Sequence, residues 1–266
     1  MSAERVAMVF AHPGHELLVA GLMQHHRPHI LFLTAADSGG EAGRAELARE
    51  GLDLLGLACR VTFLNVLENE SYAWALTGTA EPYREIGEQI LRWLQEIRPT
   101  AVFGDAFELS NFHHDLGRAL LDGALRRYGE RFGLPQNYEC PLVCRTDPNP
   151  MRLRLQEFVS GRFEVFRLSE QELAGKRALV DWVGQRHPEA ALATPLFPPM
   201  NQEVYRVVPP DRDYTLAPAG LRRHYDEWGR LQVFLGKYRE PLLFAEHFVP
   251  LVRALGLSPA SARRAA

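Results

Sequence analysis

The chain has 266 residues, 46% hydrophobic and 24% charged, with a formal net charge of -3. That composition belongs to a globular protein with enough apolar residues for a large core, and it excludes a chain dominated by disorder. A mildly acidic balance with scattered Lys and Arg lacks the basic footprint of a nucleic-acid binder, so nucleic acid is excluded as a partner.

Cys59, Cys140 and Cys144 are too few for a disulfide framework and point to a reducing compartment, the cytoplasm. Cys140 and Cys144 lack a second Cys or His pair at zinc-ribbon spacing and read as two semi-buried thiols. The N-terminus enters a strand within a few residues, without the basic and apolar regions of a signal peptide, and no apolar run is long enough to span a bilayer.

Arg5 to Ala11 is a nearly continuous apolar run, as expected of a strand buried on both faces of a parallel sheet. Glu16 to His26 reads as a helix and His29 to Thr34 as a second buried strand, which together make a strand-helix-strand unit. A turn-rich stretch follows, from Ala35 to Gly40. Glu41 to Leu55 is then helical, Cys59 to Leu64 a strand, Pro82 to Ile97 a helix and Thr100 to Gly104 a strand. Asp115 to Phe132 carries Leu116, Leu120, Ala124 and Tyr128 on one face and stops at Gly133. Phe163 to Leu168 is a later strand, and Ser169-Glu170-Gln171-Glu172 is a capping box that opens a helix to about Gln185. Thr194 to Pro218 is Pro-rich and expected to be irregular, Leu221 to Leu255 is aromatic-rich and partly helical, and Ser258 to Ala266 is expected to fray. The alternation predicts an α/β fold, Rossmann-like, with a mostly parallel sheet and helices on both faces. Residues 1–257 are expected to form a single domain and 258–266 a disordered tail.

In an open α/β sheet ligands bind beyond the carboxyl ends of the strands, which draws attention to polar residues just after a strand. His12 and His15 sit there, at a spacing able to put two imidazoles on one metal ion. A further ligand is offered by Asn111-Phe112-His113-His114-Asp115, which also follows a strand and opens a helix. Asp115 has a structural reading as the N-cap of a helix beginning at Leu116. His25, His26 and His29 fall at a helix end and the next strand's start, away from these loops. His247 reads as a buried, hydrogen-bonded group. Tyr225, Trp228 and Tyr238 are either core or an aromatic wall suited to stacking a ring.

The run Ala11-His12-Pro13-Gly14-His15-Glu16 after the first strand, with a downstream histidine loop opening a helix, resembles the PIG-L/LmbE-like zinc-dependent N-deacetylases. Their first motif is Ala-His-Pro-Asp-Asp-Glu. The likeness includes Arg44 ahead of Leu55-Gly56 and covers about the first half of the chain. It implies a Rossmann-like fold, Zn2+ or another divalent metal as cofactor, and a small-molecule substrate that is an N-acetylated sugar conjugate. By the resemblance His12 matches the first metal-binding histidine and His15 stands in place of a ligating aspartate. Gly14 stands where the family has its general-base aspartate, so a catalyst would need another base, for which Asp115, Glu16 and Glu108 are the nearby acids. The family's second motif, His-Pro-Asp-His, is Asn111-Phe112-His113-His114 here. Counting back from Gly117 favours His113 as the third ligand. Adjacency to Asp115 favours His114, which is the choice made, leaving His113, Asn111 and Arg44 toward substrate. Glu16 also reads as a brace for the histidine turn.

The expected function is therefore metal-dependent hydrolysis of an N-acylated sugar or similar amide. A family member that binds a glycan or metal without hydrolysis is the alternative that Gly14 keeps open. A nucleotide-binding reading is disfavoured, because the first turn has no glycine-rich phosphate loop. Assembly into a homo-oligomer is left open.

Overall fold

Every residue of strand β1 (Val6–Phe10) is buried, and the alternation of its side chains divides the protein into two layers. Ala7 and Val9 join one apolar core, while Met8 and Phe10 join a second, as the two-residue period of a strand requires. The computed structural model describes residues 4–34, 43–141, 164–186, 200–218, 223–236 and 238–258. Among these residues β1 is joined by β2 (His29–Thr34), β3 (Val61–Val66), β4 (Ala101–Asp105), β5 (Gln136–Cys140), β6 (Glu164–Arg167) and β7 (Gln202–Val207). The sheet order is β3-β2-β1-β4-β5-β7-β6. Strands β1 to β5 pair in parallel, whereas β7 runs antiparallel to both β5 and β6.

The helices are α1 (Ala20–His26), α2 (Arg44–Asp53), α3 (Glu68–Leu76), α4 (Glu81–Ile97), α5 (Phe112–Phe132), α6 (Glu170–Arg186), α7 (His224–Phe234) and α8 (Val249–Ala254). Leu22 and Met23 of α1 and Leu179 and Val183 of α6 cover Met8 and Phe10. Ile90 and Leu94 of α4 and Leu120 and Leu121 of α5 lie on the other face, with Ala7 and Val9. Burying a side chain of this kind stabilises by about 1.5–3 kcal/mol, so the two layers supply most of what holds the sheet. No helix among the described residues is long and apolar enough to cross a membrane.

The mostly parallel α/β architecture matches the expectation, with local corrections. The helix expected from Glu16 is interrupted: a 3-10 turn covers His15–Leu17 and α1 begins at Ala20. Helix α3 and strands β5 and β7 were not anticipated. Strand β5 reads Gln-Asn-Tyr-Glu-Cys, a polar run whose Glu139 is nevertheless fully buried because it meets Arg206 and Arg212. A buried ion pair hides a strand from any apolar pattern. Strand β7 lies inside the segment expected to be irregular. Its Glu203 accepts from the amides of Gly21 and Leu22 at 2.8 and 2.7 Å, capping the start of α1, and meets Lys176 at 2.6 Å.

The capping box at Ser169 forms as expected, with the Ser169 amide donating to Glu172 Oε2 at 2.8 Å and the Glu172 amide donating to Ser169 Oγ at 3.3 Å. Ser258, where fraying was expected to begin, is buried. Cys140 is fully buried and Cys59 exposed. Cys144, the turn at 35–40, and residues 187–199 and 259–266 lie outside the described residues.

Candidate metal centre

Strands β1 and β4 are neighbours whose next partners lie in opposite directions, β2 on one side and β5 on the other. Their carboxyl ends therefore diverge into a crevice, the position at which this architecture binds ligands. His12 and His15 follow β1, Asp105 is the last residue of β4, and His114 lies in the first turn of α5. Helix α5 can come close to the sheet because two contacts are glycine. A Cβ on Gly104 would meet Leu121 at 2.8 Å and the Val9 carbonyl at 3.1 Å, and one on Gly117 would meet Leu33 at 3.1 Å.

The imidazoles of His12, His15 and His114 converge, with one ligand-capable nitrogen from each within 4.8 Å of the others. His12 Nε2 and His114 Nε2 are 3.0 Å apart. Two ligands held about 2.0–2.1 Å from a tetrahedral ion lie about 3.4 Å apart, so this spacing is close to that of shared coordination. His15 Nδ1 meets Asp105 Oδ1 at 2.8 Å, and the other oxygen, Oδ2, accepts the Ala11 amide at 2.7 Å. Asp105 thereby locks the His15 ring with Nε2 turned away from the carboxylate, and among the described residues that buried Nε2 has no hydrogen-bond partner, nor has His114 Nδ1. A carboxylate behind an imidazole whose far nitrogen is unpartnered is the usual support for a metal-ligating histidine. Burial holds the pKa of both His15 and His114 well below the ordinary value, and each also feels a neighbouring imidazole. They are thus neutral, the form that ligates a cation. The donor set fits a divalent ion such as zinc.

The other expected site residues divide around this cluster. The carboxylate of Glu16 is buried, and Oε2 accepts the Gly14 amide at 2.7 Å, so it braces the histidine turn; burial raises its pKa to about 7. Gly14 has φ +111°, and a Cβ built there would meet none of the described residues within 4 Å. Arg44 opens α2, and its charge acts on both His15 and Glu16.

Asp115 is not the N-cap that was expected. Helix α5 starts three residues earlier, and Asn111 caps it by accepting the His113 amide at 2.8 Å. Asp115 Oδ1 instead accepts the Glu108 amide at 2.9 Å, and Oδ2 accepts that of Leu109 at 3.1 Å. It ties the loop after β4 to α5, and the side-chain charges acting on it are Arg212 and Glu139. Leu109 in that loop has a left-handed backbone, φ 55°.

His113 is not one of the converging histidines. It lines a separate pocket with Glu68 and Tyr225, and burial lowers its pKa to about 4. Asp105 was missed by the sequence reading, although a carboxylate closing a buried strand is the same signal that singled out His12. His25, at the far end of the sheet, meets Glu172 at 3.1 Å, and His247 Nδ1 accepts the Leu243 amide at 3.0 Å. Both serve local structure.

Comparison with protein-family models and with curated proteins finds no match. Among solved structures, the A40926 pseudoaglycone deacetylase Dbv21 aligns with a TM-score of 0.52 at 13% identity, covering 77% of this chain and 96% of that protein. The fold is shared with that deacetylase. Lesser likenesses are to a deacetylase triple mutant of the teicoplanin biosynthetic pathway, at TM-score 0.48 and 12% identity over 76% of this chain and 96% of that one, and to the conserved protein TT1542 from Thermus thermophilus, at 0.47 and 19% over 72% and 84%. Within this α/β fold, the histidine cluster occupies the crevice at the sheet's carboxyl edge.

Proposed function

We propose that the protein is a metal-dependent hydrolase, with zinc as the fitting ion, that removes the acyl group from an N-acylated sugar or similar amide. The observation that carries this reading is the convergence of His12, His15 and His114, with Asp105 behind His15. A zinc ion held there would polarise the amide carbonyl and lower the pKa of a bound water. His12, His15 and His114 are assigned as its ligands. Asp105 keeps His15 in the ligating tautomer, and Arg44 places positive charge at the edge of the site. Asp115 has both oxygens on backbone amides, so Glu16, at the turn itself, is assigned to proton transfer. Asn111 and His113 line the neighbouring cavity and are assigned to substrate there. The A40926 pseudoaglycone deacetylase, with which the chain shares its fold, and the resemblance carried by residues 11–16 make an N-acetylated sugar conjugate the substrate class to test first.

Gly14 favours a second reading, in which the protein binds metal and ligand without hydrolysis. It has no side chain where the resembled family carries a base, and general-base catalysis contributes about 10²- to 10⁴-fold. Metal content of the purified protein, measured with amine release from a panel of N-acetyl sugars, separates the two. One zinc per chain with amine release supports the hydrolase. Metal and ligand binding without amine release supports the binding protein, and absence of metal even on titration overturns both.

A further inference from the structure

The loop that supplies His114 to the metal cluster supplies Ser110, Asn111, Phe112 and His113 to a second cavity of about 500 Å³, walled by α3, α7 and residues 238–242. Three of its lining residues carry a buried polar atom with no hydrogen-bond partner among the described residues: Glu68 Oε1, His113 Nε2 and Tyr225 Oη. Buried polar atoms are otherwise almost always satisfied, so three in one cavity wall mark a place where a ligand completes the hydrogen bonding. All three can accept a hydrogen bond, and one belongs to a carboxylate.

Four aromatic rings, those of Tyr72, Phe112, Trp228 and Tyr238, also line the cavity. Tyr72 and Tyr238 have ring centroids 5.6 Å apart, and Trp228 and Tyr238 stand at the rim, 45% and 41% exposed. Arg239 and Glu240 are both exposed at the mouth and oppose each other in charge. Further in are the half-buried carboxylate of Glu68 and the unpaired acceptors, and the one cation among the described lining residues is the exposed Arg239, which has Glu240 beside it in sequence. An ammonium has three donors and no acceptor, and aromatic faces attract it through their quadrupoles.

We infer that this cavity binds a positively charged amine carried by the substrate, so that the compound hydrolysed is an N-acylated amine with a second, cationic amine. This rests on the hydrolase reading above and names its substrate class. His113 and His114 are consecutive at the start of α5, so the cavity and the histidine cluster are neighbours, and the proposal requires one small molecule to reach both.

The test compares N-acetylputrescine with N-pentylacetamide, its neutral isostere, and with N-acetylglucosamine, by calorimetric titration of the zinc-loaded protein. The ammonium compound should bind at least about tenfold more tightly than the isostere. Glu68→Gln should reduce that ratio to about twofold or less, and Tyr225→Phe, which removes only the hydroxyl, should reduce it in part. Equal binding of the two isosteres overturns the proposal, as does N-acetylglucosamine binding that Glu68→Gln leaves unchanged, which would make the cavity a site for a neutral ring. Amine release is scored separately. If the charge discrimination is present but no compound is hydrolysed, the hydrolase reading fails and the cation site stands; hydrolysis of neutral amides without discrimination gives the reverse.

Discussion

His15 and Asp105 are 90 residues apart in sequence and 2.8 Å apart in the structure, one from the turn after β1 and the other from the end of β4. Removing a carboxylate of this kind typically costs about 10- to 100-fold in metal affinity. Asp105→Asn keeps the shape and loses the charge, and should weaken zinc binding by about 10- to 100-fold in a chelator competition assay while the far-UV circular dichroism is retained. Unchanged affinity would reduce Asp105 to a brace for the Ala11 amide.

His114, and not its neighbour His113, belongs to the histidine cluster. His114→Ala and His12→Ala should each lower zinc from about one ion per chain to near none on dialysis, whereas His113→Ala should keep it. Elemental analysis of the three variants decides the matter, and a metal-free His113→Ala beside a loaded His114→Ala would reverse the assignment.

Gly14 combines a positive φ with free space around its missing Cβ. Any L-residue there is strained, by about 1–3 kcal/mol, but a carboxylate would have room. Gly14→Ala should lower the melting temperature with no gain in activity. Gly14→Asp should show a similar loss of stability together with faster amine release, if the missing base is what limits the rate. Equal rates for the two variants would show that the turn already has its proton acceptor.

The carboxylate of Asp115 holds the amides of Glu108 and Leu109. Asp115→Asn leaves one of these amides unsatisfied and should cost about 1–3 kcal/mol in urea denaturation. Rate and stability should fall together. A variant of undiminished stability whose amine release drops about 10²-fold or more would return Asp115 to a direct role in proton transfer.

Glu139 is buried between Arg206 and Arg212, with Arg212 Nη2 at 2.7 Å from Oε1. Burial pushes its carboxyl up, but the hydrogen bonds and charge of Arg212, with the charges of Arg206 and Arg118, outweigh that and leave it below the usual range. A folded-state value below the unfolded one of about 4.3 contributes stability that is present above that pH and is lost as the pH falls through the depressed value. Wild-type urea midpoints should therefore decline below about pH 4. Glu139→Gln should be less stable by about 3–5 kcal/mol at pH 7, because two arginines lose their partner, and its further decline in acid should be shallower.

The sequence alone was enough for the parallel α/β architecture, because β1, β2 and β4 are apolar on both faces and α4 and α5 carry an apolar stripe, and local periodicity records both. It also drew attention to His12 and His15, which follow β1 closely, and to the pair His113 and His114, between which position in the chain favoured His113 and adjacency to Asp115 favoured His114. Tertiary structure decided the rest. Asp105 acquires its role only when β4 lies beside β1. Asp115 exchanges the cap expected of it for two loop amides, because Asn111 already occupies the helix start. Strand β5 is held by an ion pair between Glu139 and two arginines more than 60 residues away, a contact that no local pattern encodes. The cavity beside His113 joins α3, α7 and the loop after β4, and the physical reason it could not be read in advance is that its unpaired polar atoms become unpaired only once folding has taken water from them.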